Sequence, residues 1–214
     1  MLLIFRRSRD YLKLMNKYIT FLSIAASAFL FITPVLAEKI SLTSLSAYIN
    51  NLPMIKANFT QINSDGSQDD GQLYIKRPGR LRLEYASPNN ALVIASSGTV
   101  AIYDDKSKSG PAVFPLKQTP LKLLIQKNVD LKNNGMVSKH IEKKEHTIII
   151  VRDPKGKVPG EVEMTFSSNP TTLRRWTIVD QSNQKTTIIL GKLHEQKFLP
   201  WSLFSISMDK PDVN

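Results

Sequence analysis

Cysteine is absent from this 214-residue chain. That excludes disulfides, thiolate metal ligands and a cysteine nucleophile, so the core must hold the fold unaided. It also excludes a bacterial-type lipid anchor at the expected export cleavage point, where Glu38 stands in the place a cysteine would need. Histidine is scarce. His140 and His146 lie six apart and His194 is distant, none in a metal-ligand spacing. No Gly-x-Ser-x-Gly elbow, Walker loop or Gly-x-Gly-x-x-Gly occurs, so serine hydrolysis, ATP and dinucleotides lack their motifs. Asp69-Asp70 and Asp104-Asp105 are adjacent pairs in turn-like sequence, and neighbours on a strand point to opposite faces, which makes poor catalytic dyads. The acidic stretch 63–71 tempts a calcium reading. An EF-hand loop opening at Asp65 would need glycine sixth and glutamate twelfth, and Asp70 and Lys76 occupy those places. These absences point away from an enzyme, a cofactor or a metal.

Long apolar runs are also missing. The longest, residues 19–32, has 14 positions interrupted by Thr20, Ser23 and Ser27, whereas a membrane span needs about 20. A basic start (Arg6, Arg7, Arg9, Lys13, Lys17) precedes it and Pro34-Val35-Leu36-Ala37 follows, the three-part layout of a secretory signal. We expect residues 1–37 to be a cleaved signal peptide, with Met15 an alternative start, and residues 38–214 to be one domain. The leader carries +4 of the formal +11, leaving +7 on the remainder. An exported basic protein is expected to meet anionic headgroups or an acidic protein patch rather than nucleic acid.

What is present is β pattern. Leu73 and Ile75 alternate on one stretch; Leu81, Leu83 and Tyr85 alternate with Arg80, Arg82 and Glu84 on the next, giving one apolar and one solvated face. Pro78-Gly79 between them is turn chemistry, with Arg77 at its rim. Upstream, residues 38–51 read as a helix with Leu45, Tyr48 and Ile49 at helical spacing, and Ile55, Ala57 and Phe59 begin a strand. Further strands are expected at 91–95, 99–103, 137–142, 147–152, 161–166, 174–180, 185–190 and 203–206. Val162, Met164 and Phe166 give the cleanest alternation, and the two-sided apolar run 148–151 suggests a central strand. Residues 119–126 read as a short helix capped by Thr119, with Leu121, Leu124 and Ile125 on one face. About eleven antiparallel strands with two helices suit a curved sheet that wraps into a barrel, with helices over its open mouth. The wall would be Phe59, Leu73, Ile75, Leu81, Leu83, Tyr85, Ile94, Val162, Met164 and Phe166.

The stretch Lys76-Arg77-Pro78-Gly79-Arg80-Leu81-Arg82-Leu83-Glu84-Tyr85, preceded by Phe59-Thr60-Gln61 and Gly71, resembles the periplasmic outer-membrane lipoprotein carriers, the LolA family. Gly98 to Asp104, Thr119-Pro120-Leu121 and Leu203-Phe204-Ser205-Ile206 are similar to later pieces of the family in the same order. Ser97 and Ala101-Ile102 depart from its usual aspartate and tryptophan. The resemblance implies a half-open antiparallel β-barrel with helices as a lid over an apolar cavity, and a periplasmic chaperone with no cofactor; a monomer is expected. It would take acylated lipoproteins from an inner-membrane ATP-driven exporter to an outer-membrane acceptor lipoprotein. It also implies that Arg77 bonds carbonyls of the lid (Leu45, Ile49, Leu121, Leu124, Ile125) and holds it shut when empty. A lipid-binding sensor or regulator of the same fold, a carrier of another lipid, and an unrecognised hydrolase stand as rivals.

Overall fold

Ser41 sets the first helix. In extended geometry (φ −63°, ψ 150°) its side chain accepts from the Ser44 N–H, so α1 (Leu42–Asn50) starts one turn later than the pattern suggested. Leu45 and Ile49, one turn apart, are the face it buries. A computed structural model describes residues 39–105, 110–119 and 121–213; the expected signal peptide lies outside the described residues. Among the described residues, no helix is long and apolar enough to cross a membrane.

All twelve described strands join one antiparallel sheet: β1 (Ile55–Ile62), β2 (Gln68–Lys76), β3 (Arg80–Tyr85), β4 (Leu92–Ser96), β5 (Thr99–Tyr103), β6 (Ala112–Pro115), β7 (Val137–Lys143), β8 (His146–Arg152), β9 (Glu161–Ser168), β10 (Thr171–Val179), β11 (Lys185–Leu190) and β12 (His194–Glu195). Their order is 6-5-4-3-2-1-11-10-9-8-7, with β12 beside β1. The end strands β6 and β7 do not pair with each other, so the sheet is an unclosed barrel. The mainly β, half-open architecture expected from the alternation and the resemblance is the architecture present.

Pleat decides the two faces. Phe59, Leu73, Ile75, Leu81, Leu83, Ala95, Val100, Ile149, Val162, Met164, Phe166, Trp176 and Ile188 fall on the inner face and form one buried cluster with α1 and residues 116–136. Gly71 lies opposite both Phe59 and Tyr85 in the ladder. Without a side chain there, the two rings meet edge to face over it, 5.2 Å apart. A Cβ at Gly71 would stand 2.7 Å from the Phe59 ring and 2.2 Å from the Glu84 carbonyl oxygen.

Several local expectations are corrected. Residues 203–206 are not a strand: Trp201–Phe204 is a 3-10 turn whose Leu203 and Phe204 bury against Tyr74 on the outer face. That covering also overturns the solvated face of β3, since Arg82 and Glu84 are 1% and 3% exposed. Ile94 pairs with Arg82 and joins Leu92, Ala101 and Tyr103 on this outer face, so it is not part of the inner wall. Strand β8 is next to the edge rather than central, with Ile150 only half-buried. Strand β2 begins at Gln68, which shortens the expected 63–71 loop; Asp65 there accepts from the Ser67 N–H and hydroxyl of its own turn. Thr119 does not cap the second helix, α2 (Lys122–Ile125): its hydroxyl donates back to the Leu116 carbonyl oxygen, and only its carbonyl receives the Lys122 N–H.

Candidate lid and apolar wall

Among the described residues, the inner face of the sheet is lined by buried apolar side chains. Two segments cover it. One is α1. The other runs from the 3-10 turn Leu116–Gln118 through α2 to Met136. Leu45, Ile49, Leu121, Leu124 and Ile125, the five apolar lid residues expected from pattern, are each no more than 8% exposed and pack in the same cluster as the wall. Nine of the ten expected wall residues are in that cluster, and Ile94 is the exception. Every one of those nine is less than 9% exposed, so the protein's own side chains fill the space between wall and lid in this state.

Polar side chains sew the cover to the sheet. Arg77, on the turn between β2 and β3, donates through Nη1 to the Leu124 carbonyl and through Nη2 to the Gln126 carbonyl at 2.8 Å. Its Nη2 also reaches the Asn50 Oδ1 at 3.4 Å. Two residues on, the Gly79 N–H donates to the Ile125 carbonyl at 2.7 Å. Three consecutive carbonyls at the end of α2 are thereby held by one hairpin tip. Gly79 can take its φ of 76° because it lacks a Cβ. A guanidinium suits this task because its donors are fixed in a fork. No carboxylate answers its charge among these contacts, and burial pulls the Arg77 pKa below its ordinary value. Its Nε is buried without a partner among the described residues.

Asn50 was invisible as a site residue in the sequence, where it reads as an ordinary helix end. Its Nδ2 donates to the Val129 carbonyl at 2.8 Å and its Oδ1 accepts the Val129 N–H at 2.9 Å. Ser46 accepts the Leu131 N–H at 2.9 Å. These bonds join the two halves of the cover. The other end of α1 is tied down by Ile40, whose N–H donates to the Thr147 hydroxyl and whose carbonyl contacts His140 Nε2, both at 2.9 Å. Tyr48 accepts the Leu173 N–H at 3.0 Å and sets its ring edge-on to Phe166; burial raises its phenol pKa. The far side of α2 is open: Thr119, Lys122, Gln126, Asp153 and Val158 border a cleft of about 370 Å³.

Among the described residues, no group of three His, Cys, Asp or Glu side chains converges to hold a metal. The arrangement hides a continuous apolar surface beneath two covering segments.

The family model described as outer membrane lipoprotein carrier protein LolA matches residues 50–207. An outer-membrane lipoprotein carrier protein of Dechloromonas aromatica is 27% identical over 190 residues, covering 81% of this chain and 86% of that one. One of Legionella pneumophila is 26% identical, covering 78% and 85%. One of Coxiella burnetii is 32% identical over 110 residues, covering 48% and 52%. Among solved structures, a LolA superfamily protein of Nitrosomonas europaea is similar at 10% identity, with a TM-score of 0.42 and coverage of 78% and 98%.

Proposed function

We propose, for a chain that belongs to the LolA family of outer-membrane lipoprotein carriers, that it carries acylated lipoproteins through the periplasm, tails held between wall and lid. It would receive them from an inner-membrane ATP-driven exporter and pass them to an outer-membrane acceptor lipoprotein. The observation that carries this reading is the bonding of Arg77 and Gly79 to the carbonyls of Leu124, Ile125 and Gln126. These bonds tie the end of α2 to one hairpin tip at the edge of an apolar wall.

The energies suit reversible loading. An acyl chain removed from water is worth roughly 10 kcal/mol at ~0.8 kcal/mol per methylene. Lifting the five buried lid residues off the wall costs about 7.5–15 kcal/mol if each loses ~1.5–3. Closed lid and bound tail are therefore near in energy, and the Arg77 bonds tip the balance toward the empty state. Apparent affinity falls by the cost of opening, which leaves cargo free to move to a tighter acceptor. The cleft beside α2 gives the lid somewhere to go.

The test is release of a labelled lipoprotein from spheroplasts by the purified protein. We expect release, followed by transfer to an acceptor. Arg77→Leu should take cargo from the spheroplasts but fail to pass it to the acceptor. Transfer by that variant at the native rate would sink the latch mechanism. Binding without any onward transfer by the native protein would favour a sensor or regulator instead.

A further inference from the structure

A second feature lies outside the chamber. After β12 the chain runs back across the outer face of β2–β5, and its side chains divide by depth. Leu199, Leu203 and Phe204 are buried against Tyr74. Phe198 and Trp201, interleaved with them, are 68% and 63% exposed. Two large rings are thus turned outward on a base that is pinned: Lys76 Nζ donates to the Leu199 carbonyl at 2.6 Å and Arg82 Nη1 to the Leu203 carbonyl at 3.0 Å. Cations stand on the rings themselves. The Arg80 guanidinium is 4.0 Å from the Trp201 centroid, and Lys76 Nζ is 4.8 Å from Trp201 and 5.4 Å from Phe198. Lys56 stands over Tyr74 at 5.2 Å, and Lys197 is exposed beside Phe198 in the chain. The acid under this segment, Glu84, is buried and paired with Arg82.

We infer that this platform docks on an anionic phospholipid surface. Exposed aromatic rings with an apolar body and half-exposed Lys and Arg beside them match the headgroup layer, where rings sit at the glycerol level and cations meet phosphate. The excess positive charge of the chain adds long-range attraction. The rings stand on an outward-facing turn rather than in a groove, so the surface suits a plane better than an inserted peptide. Lys76 and Arg80 flank the hairpin tip that latches the lid, so docking here would bring the lid edge to the headgroups. The inference stands apart from the cargo reading: a carrier without membrane affinity would still carry, and this patch would dock whatever the chamber holds.

The chain's tryptophans make the test direct. Trp176 is 1% exposed and shielded from a soluble quencher, while Trp201 is open to it. The chain without residues 1–37, the expected cleaved signal, is mixed with vesicles of phosphatidylglycerol and phosphatidylcholine, or of phosphatidylcholine alone. With anionic vesicles at low salt we expect a blue shift and protection of Trp201 from acrylamide, weakened by added salt and missing with neutral vesicles. Arg80→Gln should lower partitioning about fivefold, the value of one surface cation. Phe198→Ala and Trp201→Ala, followed by sedimentation, should lower it at unchanged thermal stability. Full quenching of Trp201 at saturating anionic lipid would overturn the inference. So would partitioning unchanged in all three variants, or protection by polyglutamate but not by vesicles.

Discussion

One hairpin carries two arginines that do similar work on opposite faces under different terms. Arg82 faces outward and is 1% exposed. It gives Nε to Glu84 at 2.5 Å and its two Nη groups to the Leu203 and Asp212 carbonyls at 3.0 and 2.6 Å. Arg77 faces the lid, is only partly buried, and finds carbonyl oxygens and an amide but no carboxylate. A buried guanidinium with a buried counterion cannot leave without stranding a charge. A rim guanidinium held by neutral acceptors can let go into water. Both the C-terminal segment and the cover over the inner face are held through carbonyl oxygens, but Arg82 keeps a buried counterion on its own strand and Arg77 has none among its contacts.

The sharpest way to break that contrast is Arg82→Met. It leaves Glu84 buried without its cation, and we expect a loss of about 3–5 kcal/mol in urea unfolding. Adding Glu84→Leu should recover most of that loss, because removing both charges ends the desolvation cost. A double variant no better than the single one would show that the pair is not the fastening. Gly71→Ala comes next: with Phe59 and a strand carbonyl in the way, overpacking should cost about 1–3 kcal/mol by the same measurement. Arg77→Leu should cost less, about 1–2 kcal/mol for the lost charged hydrogen bonds. Its signature is local: hydrogen exchange at the Gly79 amide should quicken about tenfold while the core amides hardly change. If core and Gly79 amides quicken together, the lid does not open on its own.

The smallest effect concerns pH. Hydrogen bonds from the Asn133 N–H and side chain, with a further one from the Lys132 N–H, hold the Asp130 carboxyl below its usual range at the end of the lid segment. A lowered folded pKa stabilises above the ordinary carboxylate value, and that share fades as pH falls through the lowered one. Protection of the Asn133 amide, relative to its intrinsic exchange rate, should therefore fall only in acid, and Asp130→Asn should flatten the profile.

Alternation was the readable part of this protein. Val162-Met164-Phe166 and Leu81-Leu83-Tyr85 announced which side chains share a face, because a strand has no choice but to put every second residue on the same side. What lies against each face was not readable. Arg82 and Glu84 looked solvated since nothing local says that residues some 120 positions later will cover them. Ile94 was put on the wrong face because its run is apolar on both sides and gives no phase. Residues 112–115 form an exposed edge strand with too little pattern to announce itself. Asn50 and Ser46 matter only because residues 129–131 happen to pass within reach.

The order of residues alone decided that this chain would be a β sheet with an apolar inner side, that no disulfide or thiol chemistry would enter, and that a Pro-Gly tip would present Arg77. Only the folded arrangement decided which carbonyls Arg77 would meet, which faces would be covered and which rings would stay in water. Periodicity is a property of a few neighbouring residues and can be read from them; a hydrogen-bond partner far along the chain is a property of closure, and closure exists only once the sheet has curled.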